Sequence, residues 1–347
     1  MAENINNTTD GLIDKIILWF YKNDVDVPPN TVTSSSDSSE WTRFRDIEIE
    51  IIEEAYQESK ADVLLDKHRI DLKNLMQIRL DDNKKQGSVK REIVSGRTKC
   101  LRQGRFSGAP VITSEAISST TYGNFDSWCP FLRSWLMSSA GKRAWLHFPS
   151  CIEACAQGII QEAFQHDSNS NSEAAFMAKK IRQCVGRSQL EVSKLCIHFY
   201  TKDSFLYDVL NKALRELDLS KLETLGPLGY LIGAYSRGAQ EFVGTVYRGM
   251  ELKYSEIEQY KCAIGMWKTW PAYTSTSKNR KMAEFYGNTL FVIEITDNKL
   301  SAPRTFDISN ISSFPAEEEV LLPAGACFQI INVTQNREQK YIIDIQI

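Results

Sequence analysis

The chain has 347 residues, of which 42% are hydrophobic and 24% are charged, and its formal net charge is -3. This length and composition suffice for two ordinary domains that each bury a core, so we expect a soluble globular protein. Such a small charge gives no global attraction to nucleic acid or to anionic membranes, so we expect no direct nucleic-acid binding, and any acidic partner must meet a local basic patch.

The N-terminal stretch and the cysteines bear on the compartment. The first residues, MAENINNTTDGLIDK, contain no basic region followed by a long apolar run, and no later run approaches the roughly 18 apolar residues of a membrane span. The 8 cysteines form no C-x-x-C pairs and have no partnering histidines, so neither a zinc site nor a disulfide framework is indicated. We therefore expect an intracellular protein, cytoplasmic or nuclear, with reduced and mostly buried thiols, no membrane contact and no metal.

Residues 11–94 have the pattern of a small, strand-rich unit. Apolar and aromatic segments at 16–21 and 41–44 predict strands, and the turn-forming stretch between them suits a long hairpin loop. The segment 47–56, IEIEIIEEAY, alternates at first, as a strand does, and then permits a helical turn. Short alternating segments farther along predict additional strands.

Residues 95–140 are predicted to be a connector that is partly ordered. Their first part is rich in serine, threonine and glycine, which is typical of linkers. Trp128, Trp135 and Trp145 are too many large apolar side chains for a bare linker, so we expect this part to pack onto the next domain. Nine basic residues against three acidic ones within 79–105 form a candidate patch for an acidic partner, although a solvated linker explains them more simply.

The C-terminal part of the sequence is helical first and strand-like afterwards. Ser170 and Glu173 predict a capping box at the start of a helix. The apolar face of that helix is predicted to hold Ala174, Ala178, Ile181 and Val185. Helical periods predict two more helices, at 201–217 and at about 227–239. Strands of period two are predicted at 242–250, 271–277, 289–295, 319–323, 327–334 and 341–347. Helices followed by strands indicate an α+β domain at 141–347 with mostly antiparallel sheets.

Three polar features interrupt these last strands. Arg248 lies in an apolar strand, where a guanidinium is costly unless it is paired, and a diphosphate is an anion that can pair it bidentately. The alternating hydroxyls of 273–277 usually mean a wet sheet face, and a bare E-x-E usually means a solvated edge. In strand geometry Glu317 and Glu319 share a face, while Glu318 points away and is the predicted bystander. Each feature alone has an ordinary explanation, but their order and spacing together are specific.

Arginine on a first strand, S-T-S at 275–277 and E-x-E at 317–319 form an R-S-E arrangement. Together with the segments YTKDSFLYDVLNKALRE, VYRG and FPAEEEVLLPAG, it makes the stretch Cys151–Ile347 resemble the arginine-specific mono-ADP-ribosyltransferases. The resemblance implies NAD as co-substrate, arginine side chains of proteins as acceptors, and release of nicotinamide without a metal. It also implies a fold with a helical lobe and two mostly antiparallel sheets.

The same resemblance assigns a role to each motif residue. Arg248 would hold NAD through its phosphates and nicotinamide ribose, and the backbone of Gly249 would meet the carboxamide. Ser275 would hold the ribose and the catalytic carboxylate, which is Glu319. Glu317 would orient the acceptor guanidinium and take up its proton. The further candidates for NAD binding are Thr276, Ser277, Asn279, Phe285 and Tyr286.

The N-terminal unit resembles a different family, the WWE domains. The resemblance rests on Trp19, Trp41, the segment IIEEAY and the segment IDLKNLMQ, which ends in Gln77. Members often bind the iso-ADP-ribose unit of poly(ADP-ribose), so the resemblance implies a small α+β domain and this polymer as a candidate partner. The candidate ligand residues are Trp41, Phe44, His68, Gln77 and Arg91. Phe44 and His68 stand where binding members tend to carry tyrosine, so a protein partner is the alternative.

Two other functions stay open on the sequence alone. An NAD glycohydrolase would use the same site with water as the acceptor. A non-catalytic reader would bind ADP-ribose or a protein through the N-terminal unit and have an inert C-terminal domain. Synthesis of poly(ADP-ribose) is disfavoured, because the relatives that make the polymer carry a His-Tyr-Glu set and position 248 is an arginine.

Overall fold

The computed structural model describes residues 15–22, 41–95, 129–166, 170–239, 241–296 and 305–347. These residues divide into two compact units, an N-terminal unit within Met1–Arg45 and Ile52–Cys100 and a C-terminal unit within Asp46–Ile51 and Leu101–Ile347. Each unit contains its own β-sheet. Within the described residues, no helix is long and apolar enough to cross a membrane.

The described strands of the N-terminal unit form one antiparallel sheet. They are β1 (Lys15–Tyr21), β2 (Thr42–Arg43), β3 (Asp62–Leu64), β4 (His68–Asp71), β5 (Met76–Arg79) and β6 (Gln86–Ser95). Their order across the sheet is β2-β1-β6-β5-β4-β3. The helix α1 (Asp46–Gln57) follows β2 in the chain. The unit is therefore a small α+β domain, as the sequence predicts.

The predicted strand character at the start of 47–56 is wrong, because the whole segment lies in α1. Ile47, Ile51 and Ala55 recur at every fourth residue and are all buried, which is the period of a helix face. The first turn is acidic, and acidic side chains there complement the helix macrodipole. Alternation of acidic and apolar residues is compatible with a strand or a helix. The burial of every fourth residue shows that this segment is a helix.

Helices form the first part of the C-terminal unit. They are α2 (Pro130–Met137), α3 (Ser139–Leu146), α4 (Phe148–His166), α5 (Asn171–Arg182), α6 (Gln189–Thr201), α7 (Phe205–Glu216) and α8 (Leu222–Ala234). The sequence pattern predicts α5, α7 and α8 but not α4 or α6. The bounds predicted for α8 are wrong, since this helix starts before Pro227 and ends before Ala239.

The predicted connector, 95–140, is only partly described. Residues 96–128 lie outside the described residues. From Pro130 the chain is helical, and α2 packs against α8. Its Phe131 and Trp135 are buried, as expected for Trp135. Trp145 is 58% exposed, so the expected packing is wrong for this tryptophan, and Trp128 lies outside the described residues.

The two S-x-x-E sequences that precede α5 and α6 differ in structure. Before α6, the Ser188 side chain accepts from the Glu191 backbone, and Glu191 reaches back to the Ser188 N–H at 3.0 Å, which completes a capping box. Before α5, Ser170 makes no side-chain capping bond and Glu173 is buried, so the predicted capping box is wrong. Val185 lies beyond the end of α5 and is 58% exposed, so its predicted place on the apolar face is also wrong.

The remaining described residues of the C-terminal unit form a sheet with two short helices. The strands are β7 (Gly244–Met250), β8 (Trp267–Trp270), β9 (Thr274–Ser277), β10 (Thr289–Ile295), β11 (Phe306–Asp307), β12 (Glu319–Leu322), β13 (Ala326–Gln335) and β14 (Tyr341–Gln346), and the helices are α9 (Tyr254–Cys262) and α10 (Arg280–Glu284). The strand order is β11-β12-β9-β7-β10-β14-β13-β8. Neighbours are antiparallel except β10 and β14, which are parallel. The register of β7 with β9 consists of the pair Tyr247↔Ser277, so the two sheets that the resemblance implies are continuous through this pair.

The core of this sheet determines where Arg248 lies. Val246 and Met250, its second neighbours in β7, belong to a buried cluster with Trp270 and Phe291. Residues two apart in a strand share a face, so Arg248 lies on the buried face, and it is 3% exposed. Phe291 of β10 is its partner in the register. Apolar packing on both sides thus brings a guanidinium into the interior.

Candidate active site

Arg248 is held against the neighbouring strand β9. Its Nη1 donates a hydrogen bond to the backbone carbonyl of Ser275 at 2.7 Å. A guanidinium has a planar fork of five N–H donors. This contact therefore fixes the direction of the fork at the point where β7 meets β9.

The hydroxyls of β9 connect this strand to the glutamate run. Ser277 Oγ donates to the Glu317 carbonyl at 2.7 Å and accepts from the Asn279 N–H at 2.9 Å. Thr276 Oγ1 donates to the Val320 carbonyl at 2.7 Å. Each hydroxyl satisfies a buried backbone group, so Thr276 and Ser277 have structural contacts that explain them.

Ser275 differs from these two neighbours. It is 1% exposed, and its Oγ makes no hydrogen bond with the described residues. The hydrogen bond expected between Ser275 and Glu319 is therefore absent from this structure, and the register pairs Ser275 with Leu321 and Ser277 with Glu319. A buried hydroxyl without a partner costs roughly 1–3 kcal/mol and calls for an explanation. A ligand that bonds this hydroxyl is one such explanation.

The three consecutive glutamates do not form an extended strand. Strand alternation is therefore the wrong explanation for why Glu317 and Glu319 are buried and Glu318 is not. Pro315–Glu317 is a 3-10 turn, Glu318 is left-handed at φ 46° and ψ 47°, and β12 begins at Glu319. Glu317 and Glu319 are each 1% exposed, whereas Glu318 is exposed. The left-handed residue turns the chain so that both neighbours are buried. A non-glycine residue pays roughly 1–2 kcal/mol for this conformation, and such local strain is common at functional sites.

Glu319 is fixed through its backbone and its side chain. Its carbonyl accepts from the Ile308 N–H at 3.0 Å. Its Oε2 accepts from the Ser312 hydroxyl at 3.2 Å. The glutamate run is also held at Glu318, whose carbonyl accepts from the Lys278 N–H at 3.1 Å. Sequence reasoning missed Ser312, and the only signal was a pair of serines shortly before the glutamates.

Gly249 and Asn279, which the resemblance assigns to NAD, each have a structural explanation. A Cβ on Gly249 would lie 1.8 Å from the Ala283 carbonyl oxygen, so the approach of α10 to β7 requires glycine there. The Asn279 side chain accepts from the Met282 N–H at 3.4 Å and caps α10. Contact of either residue with NAD stays a prediction.

Phe285 and Tyr286 follow α10 as a pair of perpendicular rings. Their centroids are 5.7 Å apart, and Phe285 is 72% exposed while Tyr286 is buried. Lys340 Nζ donates to the backbone carbonyls of Glu284 and Tyr286. The Phe285 ring thus faces solvent, while Lys340 fixes the backbone on either side of it. Stacking of either ring on nicotinamide stays a prediction.

In the N-terminal unit, Arg91 is engaged by the fold itself. Its Nε and Nη2 donate to both oxygens of Glu53 at 2.9 and 2.8 Å, and Trp19 Nε1 donates to the same carboxylate at 2.9 Å. Burial disfavours the charge on Glu53, but hydrogen bonds from Arg91, Gln57 and Trp19 outweigh burial and lower the pKa of this carboxyl. Arg91 therefore has a structural role in this unit.

Gln77 is the ligand candidate of this unit with an unsatisfied atom. It is 5% exposed, and its Oε1 makes no hydrogen bond with the described residues.

Two other ligand candidates of this unit are Phe44 and His68. Phe44 is buried against Tyr21, with ring centroids 4.8 Å apart. Burial and the charge of Arg79 lower the pKa of the His68 imidazole.

Trp41 and the basic residues near β6 already have neighbours. Lys90 Nζ lies 4.5 Å from the centroid of the Trp41 ring and 2.6 Å from Glu92. Arg79 pairs with Asp81 at 2.5 Å. These contacts within the described part of 79–105 agree with the interpretation of a solvated charged surface rather than a patch for an acidic partner.

The cysteines of the described chain are free thiols. Five of them, Cys129, Cys151, Cys155, Cys184 and Cys196, are buried. Burial raises the pKa of the Cys129 thiol to about 11. Among the residues that the structure describes, no group of three or more His, Cys, Asp or Glu side chains could hold a metal ion.

Comparison with known protein families assigns both units. The family model described as NAD:arginine ADP-ribosyltransferase matches residues 161–346, which is more than half of the chain. The chain belongs to this family. The family model of the WWE domain matches residues 17–91. Both resemblances drawn from the sequence are confirmed, and the ADP-ribosyltransferase match contains Arg248, the hydroxyls of β9 and the glutamate run.

Individual relatives of this NAD:arginine ADP-ribosyltransferase family member each match part of the chain. A Mycobacterium avium (strain 104) protein named as a candidate NAD(+)–arginine ADP-ribosyltransferase, Mav, is 35% identical over 133 residues, and the match covers 37% of this chain and 14% of that protein. The ADP-ribosyltransferase HopU1 of Pseudomonas syringae pv. Tomato DC3000 is 26% identical, with coverage of 41% and 64% and a TM-score of 0.35. The type III effector XopAI of Xanthomonas axonopodis pv. citri is 14% identical, with coverage of 62% and 95% and a TM-score of 0.43. At this coverage and these TM-scores, none of the three establishes the activity of the whole chain.

Proposed function

We propose that the chain is an NAD-dependent mono-ADP-ribosyltransferase that transfers ADP-ribose to arginine side chains of proteins and releases nicotinamide. The observation that carries the proposal is the convergence of the motif at the junction of β7, β9 and β12. Arg248 bonds the Ser275 carbonyl at 2.7 Å, and Ser277 joins the Glu317 carbonyl at 2.7 Å and pairs with Glu319 in the register. Membership of the family supports the reaction class.

Two groups at this junction, the Arg248 guanidinium and the Ser275 hydroxyl, can bind parts of a dinucleotide. The Arg248 fork can pair the oxygens of a diphosphate in a charge-assisted, bidentate manner. The buried Ser275 hydroxyl has no partner among the described residues, and a ribose hydroxyl can complete its hydrogen bonding. In this proposal, Arg248 and Ser275 bind NAD and fix its orientation before any bond breaks.

Glu319 stabilises the transition state electrostatically. As the bond between ribose C1′ and nicotinamide breaks, the electron pair leaves with nicotinamide and positive charge develops on the ribose. A carboxylate at 1% exposure acts through a medium of low dielectric, where a preorganised charge is worth more than in water. The backbone and side-chain contacts of Glu319 keep this carboxylate in one place.

Glu317 serves the acceptor. An arginine guanidinium is cationic, so it must be paired with an anion and must lose a proton as its nitrogen bonds to C1′. Glu317 lies at the end of the 3-10 turn, with its carbonyl fixed by Ser277. We assign it the orientation of the guanidinium and the uptake of that proton.

Labelled NAD tests the proposal directly. The full chain is incubated with labelled NAD and agmatine or an arginine-rich protein, and the expected result is free nicotinamide together with a labelled guanidine adduct. A citrulline derivative, which has the same length but no positive charge, is the matched control and should remain unlabelled. Release of nicotinamide without any adduct would instead support NAD glycohydrolase activity, and no release would support a non-catalytic chain.

A second function is proposed for the N-terminal unit, which is recognition of the iso-ADP-ribose unit of poly(ADP-ribose). The buried Gln77 Oε1, which has no hydrogen-bond partner among the described residues, favours it, and so does the WWE match. Calorimetric titration of the full chain with iso-ADP-ribose should show binding that Gln77→Ala weakens. Gln86→Ala is the control, because Gln86 is exposed and bonds the Asn83 carbonyl. Equal affinities in the two variants would argue against this site.

A further inference from the structure

Residues 308–314 connect β11 to the 3-10 turn of the glutamate run and are folded tightly. The Ile308 carbonyl accepts from the N–H groups of Ile311 and Ser312 at 2.8 and 2.7 Å. The Ile308 N–H in turn donates to the Glu319 carbonyl at 3.0 Å. One end of this loop is therefore fastened to the backbone of the proposed catalytic glutamate.

Ser312 joins the same loop to the carboxylate of Glu319. Its hydroxyl is in a residue that is 5% exposed, and it accepts from the Phe314 N–H at 3.2 Å. It donates to Glu319 Oε2 at 3.2 Å. Because a lone pair of the hydroxyl is engaged by the backbone, its proton has a defined direction toward the carboxylate.

The residues on either side of Ser312 are seated on helix α6. Thr201 Oγ1 accepts from the Ser313 N–H at 3.4 Å and donates to the His198 carbonyl at 2.8 Å. His198 Nδ1 lies 3.4 Å from both the Ile311 carbonyl and the Ser313 hydroxyl. Thr201 is fully buried, so the loop is hydrogen-bonded to an interior residue of α6.

We propose that Ser312 is a positioning residue that orients the Glu319 carboxylate, and that the seating of its loop on α6 fixes Ser312. This inference rests on the proposed function, in which Glu319 stabilises the transition state. The resemblance gives the task of holding Glu319 to Ser275, yet the Ser275 hydroxyl bonds nothing among the described residues. Ser312 holds the carboxylate at Oε2, and Ser275 is left for the ribose.

Kinetics of Ser312 variants test this assignment. A hydrogen bond to a charged group is strong enough that its loss should lower kcat for nicotinamide release by roughly 10-fold. KM for NAD should stay within about 2-fold, because the bond orients Glu319 rather than binding substrate. Ser312→Thr, which keeps the hydroxyl, should recover most of the rate.

Ser309→Ala is the matched control, because Ser309 lies in the same loop and bonds Asp307 rather than Glu319. It should leave kcat within about 2-fold of the wild type. The inference is overturned if Ser312→Ala behaves like this control, if KM rises instead of kcat falling, or if threonine does not recover the rate.

A melting experiment separates this inference from the proposed function. Thermal melts are recorded for Ser312→Ala, Glu319→Ala and the double variant of the full chain. If the two side chains interact, the double variant shifts the melting temperature by less than the sum of the single shifts. Additive shifts overturn the inference whatever the activity is. An inactive wild-type chain counts against the proposed function alone, because the melts still decide whether Ser312 holds Glu319.

The contact between α6 and the loop is tested with Thr201→Val, which keeps the shape of the side chain and removes the acceptor of the Ser313 N–H. It should lower kcat in the same direction as Ser312→Ala but by a smaller factor, roughly 3-fold for one neutral hydrogen bond. Thr245→Val, at an exposed position of β7, is the control. An unchanged kcat in Thr201→Val would remove α6 from the assignment.

Discussion

The N-terminal and C-terminal units each hold an arginine, and the groups beside the two arginines differ. Arg91 forms a bidentate ion pair with Glu53. Arg248 donates to the Ser275 carbonyl beside the buried Ser275 hydroxyl, which has no partner among the described residues. The charge-assisted ion pair of Arg91 stabilises the N-terminal unit. We infer that the unsatisfied Ser275 hydroxyl beside Arg248 serves a ligand, so changes near Arg91 should alter unfolding and changes near Arg248 and Ser275 should alter turnover.

Glu319→Gln should give the largest effect and the sharpest test of this comparison. The amide keeps the volume of the side chain and a hydrogen-bond acceptor for Ser312 but removes the charge. We expect nicotinamide release to fall by about 10²–10³-fold, while NAD affinity and the melting temperature change little. Steady-state kinetics, NAD titration and thermal melts measure the three quantities. Glu318→Gln is the control, because Glu318 is exposed, and full activity in Glu319→Gln would refute the mechanism.

Glu317→Gln should separate the two reactions of the site. A neutral amide can neither pair a cationic guanidinium nor take up its proton, so transfer to agmatine should fall by roughly 10²-fold. NAD hydrolysis should fall less, because water as acceptor needs no anionic partner. The ratio of guanidine adduct to free ADP-ribose measures the effect. Equal losses of both reactions would remove the acceptor role from Glu317.

Glu53→Gln should show the opposite behaviour, a loss of stability with unchanged turnover. It removes the charged partner of Arg91 and weakens the acceptor for the Trp19 indole, so the N-terminal unit should lose about 1–3 kcal/mol of unfolding free energy. Urea unfolding of the full chain measures this loss, and nicotinamide release measures turnover. Glu58→Gln is the control, because it breaks an ion pair with Lys60 that is about half exposed, and solvent-exposed pairs contribute little to stability. A large fall in turnover of Glu53→Gln would contradict the comparison.

The strands of the C-terminal sheet are the part of the fold that the sequence predicts best. The predicted strand 289–295 coincides with β10, and the predicted strand 341–347 extends only one residue beyond β14. In a half-buried strand, the alternating apolar residues directly indicate which face packs against the core. The order of the R-S-E residues along the chain could likewise be found without a structure.

The helices show where such patterns are insufficient. The buried residues of α4 recur at helical spacing, as at Ile152, Ala156, Ile159 and Ala163, but cysteine, alanine and glycine make up much of this face, so its hydrophobic pattern is weak. α6 does carry a start signal, because Ser188 and Glu191 form a capping box, but the same S-x-x-E pattern at Ser170 forms none. A local pattern cannot distinguish the two, since the burial of Glu173 depends on tertiary packing.

The contacts of the candidate site residues could not be predicted from the sequence. The burial of Glu317 and Glu319 around an exposed Glu318 follows from a 3-10 turn and a left-handed residue, not from strand alternation. Ser312 reaches Glu319 because the loop folds back on itself, and no spacing rule for a helix or strand gives that approach.

Ser275 and Ser277 allow the comparison between structural and ligand-directed groups to be made within one strand. Both are 1% exposed, but Ser277 bonds the Glu317 carbonyl and the Asn279 N–H, whereas the Ser275 hydroxyl bonds nothing among the described residues. Ser277→Ala should therefore cost about 1–3 kcal/mol of unfolding free energy, because it leaves the Glu317 carbonyl and the Asn279 N–H without this partner. Ser275→Ala should leave unfolding within about 0.5 kcal/mol of the wild type and weaken NAD binding by roughly 2- to 10-fold, the value of one hydrogen bond. If urea unfolding shows the same loss for both variants, or if NAD titration shows no change for Ser275→Ala, the unsatisfied hydroxyl is not a ligand-binding group.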